Sequence, residues 1–279
     1  MYVNKSMERI CVYFESWAAP WTNDPEKFTL SQIQKPISIV NISFARPACT
    51  YVAGQKTWQG TGLDFSQDFW VVCSAIQILK KKGIKVMLSV GGGSYWSDPN
   101  VIFQPANCVA LMKDLGCDGI DLDWEVGEKY DYQLTDAIKN LKPLMPQGAF
   151  LTFAGTSTGA FGKTGNGDNY QGMNIHAMVN QGGNVDWINI MAYDAGPTYD
   201  PIGALECYRI YYRGPLLLGF EIGDMAWGGY KITLANVVNW TCRTLKESKN
   251  NGIFIWAYQK DPAGTPTVKD IVTVASSLV

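Results

Sequence analysis

Eight short runs of apolar, largely β-branched residues punctuate the chain, and between several of them hydrophobic positions recur at three- and four-residue spacing. The runs are ICVYFES (10–16), ISIVNISFA (37–45), IKVMLSVGG (84–92), GIDLDWE (119–125), AFLTFAG (149–155), VDWINIMAYD (185–194), PLLLGFE (215–221) and GIFIWAYQ (252–259). Short apolar runs of this kind read as strands covered on both faces, as in a parallel sheet. The helical spacing is clearest in SQDFWVVCSAIQILKKKG (66–83) and TLANVVNWTCRTLKES (233–248), where a Ser or Thr opens the segment as a cap and a basic stretch or Gly lies near its end. Eight strand–helix units in roughly 250 residues predict a (β/α)8 TIM barrel, an α/β fold forming one domain over residues 1–279. An open doubly wound sheet is the alternative, but no G-x-G-x-x-G follows the first strand.

Composition and charge narrow the function classes. The chain has 279 residues, 47% of them hydrophobic, and a formal charge of −2, with no basic run longer than the three lysines at 80–82. Nucleic acid is therefore not an expected partner. No apolar run approaches the ~18 residues of a membrane span, so no membrane association is expected. The polar start MYVNKSMERI lacks the apolar stretch of a secretion leader. The reading adopted is a secreted monomer whose leader is absent from this sequence, with a cytosolic protein as the alternative. Seven cysteines with no CxxC pair, and a single histidine, His176, in the short helical stretch MNIHAMVNQG, imply no zinc site and no cofactor. They leave room for one or two disulfides and for a structural role of His176. Without a second histidine or a G-x-S-x-G turn, acid and base chemistry falls to carboxylates.

The stretch DGIDLDWE (118–125) contains four of them. Strand side chains alternate faces, so Asp121, Asp123 and Glu125 share one face while Ile120, Leu122 and Trp124 share the other. The apolar set suits the helix layer, leaving the acids pointing into the barrel and climbing toward the carboxyl-terminal rim, where barrel active sites lie. Buried like charges must be neutralised, paired or protonated, so a purely structural role is disfavoured. Two chemistries fit. Strand-end carboxylates can hold Mg²⁺, or close acids can divide into a protonated donor and an ionised partner, as glycoside cleavage requires. Ten Trp and fourteen Tyr supply flat faces for sugar rings, and Trp17, Trp21, Trp58, Tyr95, Trp96, Tyr193, Trp227 and Trp256 fall where rim loops are expected.

At these residues the chain resembles the chitinases of glycoside hydrolase family 18. The family signature D-x-x-D-x-D-x-E is matched by Asp118, Asp121, Asp123 and Glu125, S-x-G-G by Ser89 to Gly92, and M-x-Y-D by Met191 to Asp194; the tryptophan of the eighth strand corresponds to Trp256. The resemblance implies a retaining, substrate-assisted hydrolysis of β-1,4 linkages between N-acetylglucosamine units. Glu125 would protonate the glycosidic oxygen, and the substrate's own acetamido oxygen would attack. Asp123 would orient the acetamido N–H, Tyr193 would donate to its oxygen, and Asp121 would share a proton with Asp123. Asp194, Trp256, Ser89, Tyr13, Met191, Trp96 and Trp227 are the implied substrate-binding set, with no metal and with chitin or its oligosaccharides as partner. An endo-β-N-acetylglucosaminidase acting on N-glycans and a non-hydrolytic lectin are the alternatives within the family. Only 222–251 separates the last two strands, most of it helical, which leaves no room for the α+β insertion of processive relatives. An open groove and endo cleavage are expected, unless the long loop 46–65 raises a wall with Tyr51 or Trp58.

Overall fold

The computed structural model describes residues 9–95, 101–125, 131–162, 171–196, 198–224 and 228–278. Eight strands, β1 (Ile10–Glu15), β2 (Ile39–Ala45), β3 (Lys85–Gly91), β4 (Gly119–Asp123), β5 (Phe150–Gly155), β6 (Trp187–Ile190), β7 (Leu216–Glu221) and β8 (Gly252–Trp256), close into one parallel barrel in chain order. Each falls within an apolar run that predicts it.

Among the described residues the outer ring holds seven α-helices: α1 (Phe69–Lys81), α2 (Pro105–Leu115), α3 (Asp131–Leu141), α4 (Ile175–Gln181), α5 (Pro201–Tyr211), α6 (Leu234–Glu247) and α7 (Val268–Ser276). The expected eighth is missing from the first crossover, which makes only a 3-10 turn at Thr29–Gln32. Pro25 and Pro36 bracket that segment, and proline tolerates only the first turn of a helix. The short stretch between them still buries Phe28, Leu30 and Ile33. Thr233 caps α6 by accepting from the Asn236 N–H, as predicted. The predicted Ser cap of α1 does not form; Asp68 occupies the N-cap, without a side-chain cap bond.

Alternation along β4 sorts the two cores. Ile120, Leu122 and Trp124 join the large outer cluster between barrel and helices, Trp124 meeting Phe103 edge-on at 5.7 Å. Inside the barrel Cys11, Ile39, Met87, Trp187, Leu217 and Phe254 form a second apolar plug. Burying each large side chain contributes roughly 1.5–3 kcal/mol, and the plug gives the polar residues above it a dry floor.

All seven cysteines are free thiols, so the disulfides allowed for from sequence are not formed. His176 packs outside the barrel with Nδ1 2.8 Å from the Thr135 hydroxyl, linking α4 to α3. Between β7 and β8 the described chain forms α6 and its connecting loops and no α+β unit. The 46–65 loop does not raise a wall with its aromatics. Tyr51 is buried, stacks on Phe69 at 6.0 Å and donates to Asp114 at 2.7 Å. Trp58 packs on Phe65 and Phe69 and donates to the Gln67 carbonyl. Both turn inward because α1 offers them apolar surface.

Candidate active site

Of the four carboxylates in DGIDLDWE, Asp118 belongs to the opposite end of the barrel. It precedes β4, accepts from the Val86 N–H at 2.9 Å and pairs with Lys80 at 2.9 Å, tying strand to helix. The other three climb the interior toward the rim.

Asp121 is fully buried at the middle level. The parallel register sets it beside Ser89 on β3 and Thr152 on β5. Its Oδ2 accepts from the Tyr13 and Ser89 hydroxyls, each at 2.8 Å, and its Oδ1 accepts from Thr152 at 2.6 Å and from Asn189 Nδ2 at 3.1 Å. Burial pushes its carboxyl up, and these four donors, Thr152 first, pull it back. They favour the ionised form through hydrogen bonds to it.

One pleat higher, Asp123 is 3% exposed and hydrogen-bonded to Glu125. Burial, then the charges of Glu125 and Asp121, hold Asp123 well above the usual carboxylate range. Burial also raises Glu125, against a hydrogen bond from the Gly93 N–H; the charge of Asp194 adds to the rise and the bond from Asp123 opposes it. Two touching carboxyls in a dry site hold one proton between them, and that proton belongs to the pair. Backbone geometry permits the arrangement: a Cβ at Gly92, where φ is +87°, would strike the Phe44 ring at 2.7 Å. One at Gly93 would stand 3.4 Å from Glu125 Oε2.

Above the acids opens a cleft of about 480 Å³. Its floor is aromatic: Trp256 stacks on Phe44 at 5.5 Å and 21°, meets Tyr13 edge-on at 5.7 Å, and has Trp17 at 6.5 Å. Tyr193 and Met191, from the end of β6, and Asp194 line the other side together with Asp123 and Glu125. Burial first, then the charges of Glu221, Asp123, Glu125 and Asp194, raise the Tyr193 phenol well above its ordinary value, so it stays a donor. Among the described residues no group of three or more His, Cys, Asp or Glu is arranged to hold a metal ion.

The structure thus gathers Tyr13, Ser89, Asp121, Asp123, Glu125, Met191, Tyr193, Asp194 and Trp256 around one cleft and its base. Trp17 and Tyr95 also line it, whereas Trp58 packs into the core and Trp21, 67% exposed, is not part of the lining. Trp96 and Trp227 lie outside the described residues. Several neighbours went unread in the sequence. Thr152 and Asn189 were detectable as polar residues on the inward positions of apolar strands, and Glu221 as a carboxylate ending a strand. Phe44 and Asp64, both in the lining, carried no such signal.

A family model described as Glycosyl hydrolases family 18 matches residues 9–251. Endochitinase 1 of Metarhizium anisopliae is 26% identical over 263 residues, 80% of this chain and 58% of that protein. Chitinase B of Serratia marcescens is 28% identical over 141 residues, 41% of this chain and 26% of that protein. The chain therefore spans little more than half of the first relative and about a quarter of the second. Among solved structures, a GH18 chitinase from Pseudoalteromonas aurantia superposes with a TM-score of 0.69 at 19% identity, covering 98% of this chain and 100% of that one. A fungal endo-beta-N-acetylglucosaminidase of glycosyl hydrolase family 18 gives 0.71 at 16% identity, covering 97% and 98%. These two likenesses speak for the barrel fold. The family match itself runs from the base of β1 to the threshold of β8 and encloses every carboxylate around the cleft, and the chain belongs to glycosyl hydrolases family 18.

Proposed function

We propose that this chain is a chitinase that cleaves β-1,4 linkages between N-acetylglucosamine units with retention, using the substrate's acetamido group as nucleophile. The observation that carries the reading is the hydrogen bond between Asp123 and Glu125. Two-carboxylate glycosidases hold their acids about 5 Å or more apart, one on each side of the scissile bond. Carboxyls that touch cannot straddle it. A nucleophile must then come from elsewhere, and the 2-acetamido arm of N-acetylglucosamine carries one within reach of the anomeric carbon.

In this mechanism the proton held by the Asp123–Glu125 pair sits on Glu125 once the acetamido N–H occupies Asp123, and Glu125 gives it to the glycosidic oxygen as the acetamido oxygen attacks the anomeric carbon. The bond to the leaving sugar breaks and a cyclic oxazolinium forms. Asp123 accepts from the acetamido N–H, and its charge stabilises the cation. Tyr193 donates to the acetamido oxygen. Glu125, now ionised, takes a proton from water, which attacks the same carbon and reopens the ring, so two displacements leave the configuration unchanged. Trp256, braced by Phe44, floors the scissile-sugar site, and Asp194 accepts from a sugar hydroxyl. With no α+β insertion beside β8 among the described residues, the groove admits a chain at its middle, and cleavage is endo. Acting on a polymer too large to cross a membrane requires the enzyme outside the cell, so the reading carries secretion with it.

Incubation with chitin oligomers, with fully deacetylated chitosan oligomers and with a high-mannose glycopeptide, followed by mass spectrometry, tests the proposal. Cleavage of the acetylated oligomers alone, with β-anomeric product seen first by NMR, is the expected result. Efficient cleavage of chitosan would refute substrate assistance. Cleavage of the glycopeptide alone would make the protein an endo-β-N-acetylglucosaminidase, and binding without cleavage a lectin. Early steep viscosity loss on a soluble chitin derivative is expected of endo action; disaccharide release at intact viscosity would contradict it.

A further inference from the structure

Behind the cleft lies a second set of charged groups that the proposed reaction leaves unused. Glu221 ends β7, stands level with Trp256 across the β7–β8 pairing, and is 5% exposed. Its Oε1 accepts from Lys260 Nζ at 3.1 Å, its buried Oε2 has no donor among the described residues, and its carboxyl faces that of Asp194 closely enough for a proton to join them. Asp194 lines the cleft and holds a φ of 51°, a left-handed conformation that costs a non-glycine residue energy. Aspartate is among the residues that tolerate this region, and a partner for its side chain helps to fix it there. A hydrogen bond between two carboxyls needs a proton, and the buried, solvent-shielded Glu221 is the better holder of it.

We propose that Glu221 is a positioning residue for the sugar-binding side of the cleft: protonated, it donates to Asp194 and holds that carboxylate toward the substrate, while Lys260 sets how readily the proton leaves. The proposal rests on the chitinase reading for its substrate.

The surrounding charges work as follows. From the end of β6 come Asp194 and Tyr193, from beyond β8 comes Lys260, and from the segment before α6 comes Tyr230. Lys260 also faces Glu15 on β1, whose carboxyl burial raises and Lys260 lowers. Burial raises both phenols, and Glu221 adds to the rise, so they remain neutral. Burial pushes Glu221 up to about 7, opposed by Lys260 and helped by Asp194. Below that pH the carboxyl donates to Asp194. Above it the proton leaves, two like charges face each other, and Asp194 loses its anchor. Sugar affinity should therefore fall as pH rises through neutrality, separately from the loss of the Glu125 proton, which governs turnover.

The test is KM and kcat for chitotetraose between about pH 5 and pH 9, measured on wild type, Glu221→Gln and Glu221→Ala. A glutamine amide donates at every pH and its oxygen still accepts from Lys260. In wild type KM should rise about tenfold across neutrality, the scale of one charge-assisted hydrogen bond. In Glu221→Gln the rise should disappear, and in Glu221→Ala KM should be high already at acid pH. The same KM profile in wild type and Glu221→Gln, or a normal KM in Glu221→Ala with its fold intact by circular dichroism, would overturn the proposal. Infrared spectroscopy of the free protein adds a readout independent of activity. The protonated-carboxyl signal lost between pH 5 and pH 9 should be larger in wild type than in Glu221→Gln, the difference being the one carboxyl of Glu221 over the signal of the Asp123–Glu125 pair, which both share. If chitotetraose is not cleaved, the chitinase reading falls, and this difference still decides the proton assignment: identical carboxyl signals in wild type and Glu221→Gln would overturn that too.

Discussion

Replacing Asp121 separates the worth of its charge from the worth of its shape. Asp121→Asn removes the charge and keeps an acceptor of the same size. Its Oδ1 can still take Thr152 and Asn189, while its amide faces Tyr13 and Ser89, whose hydroxyls can rotate to accept. Asp121→Ala removes every acceptor and leaves four buried donors, now 2.6 to 3.1 Å from nothing but a cavity. An unsatisfied buried polar group costs about 1–3 kcal/mol. Asn189 already donates to the Tyr13 hydroxyl at 3.2 Å, so part of the set can pair within itself. Even at the low end of about 1 kcal/mol each, that pairing leaves Ser89 and Thr152 without a partner, so the alanine variant should be at least about 2 kcal/mol less stable than the asparagine variant. That is a large share of the roughly 5–15 kcal/mol that holds a domain together. Both variants also escape the cost of burying an ion, so that contribution cancels in the difference. Urea unfolding followed by fluorescence measures it directly. Stabilities within about 1 kcal/mol of each other would show that the four donors find other acceptors, and the account of Asp121 as their shared anchor would be wrong.

Glu125→Gln should retain the fold and chitotetraose affinity and lose at least about a hundredfold in kcat, the scale of a general acid; near-normal turnover would remove Glu125 from that role. Trp256→Ala should weaken oligosaccharide binding by about tenfold or more in calorimetry, because Phe44, Tyr13 and Trp17 lose the ring they pack against; unchanged affinity would mean the sugar does not rest there. Stability should fall as pH rises. Glu221 moves from an ordinary 4.5 to about 7 in the folded protein, so the folded state binds the extra proton between those values. Its contribution is complete below about 4.5 and gone above about 7, a change of about 3 kcal/mol. The raised carboxyls of Asp121, Asp123 and Glu125 act in the same direction. Unfolding free energies at pH 5 and pH 8 should differ accordingly, and by clearly less in Glu221→Gln; a stability that climbs with pH would contradict the assigned shifts.

What could be read in the sequence is what depends on near neighbours. Strand side chains alternate at every residue, so GIDLDWE declares by itself that its acids share one face and its apolar residues the other. The eight-fold recurrence of such runs implies the barrel, and Thr233 announces the start of α6 because a cap bonds only three residues onward. The rest depends on register and on what lies across the barrel. Tyr13 and Asp121 are 108 residues apart in the chain and 2.8 Å apart in space, and Lys260 reaches Glu221 across 39 residues. Only closure of β8 onto β1 and the stagger of the strands bring such groups to one level, so Thr152, Asn189, Glu221 and Lys260 could be seen as polar yet not as partners. The same holds for Tyr51 and Trp58, which turn inward, and for the first crossover, which buries its apolar residues without a helix. Alternation is a property of one strand's own stereochemistry. The proton shared by Asp123 and Glu125 comes from burial by the whole barrel, because only the assembled fold lowers the dielectric around them.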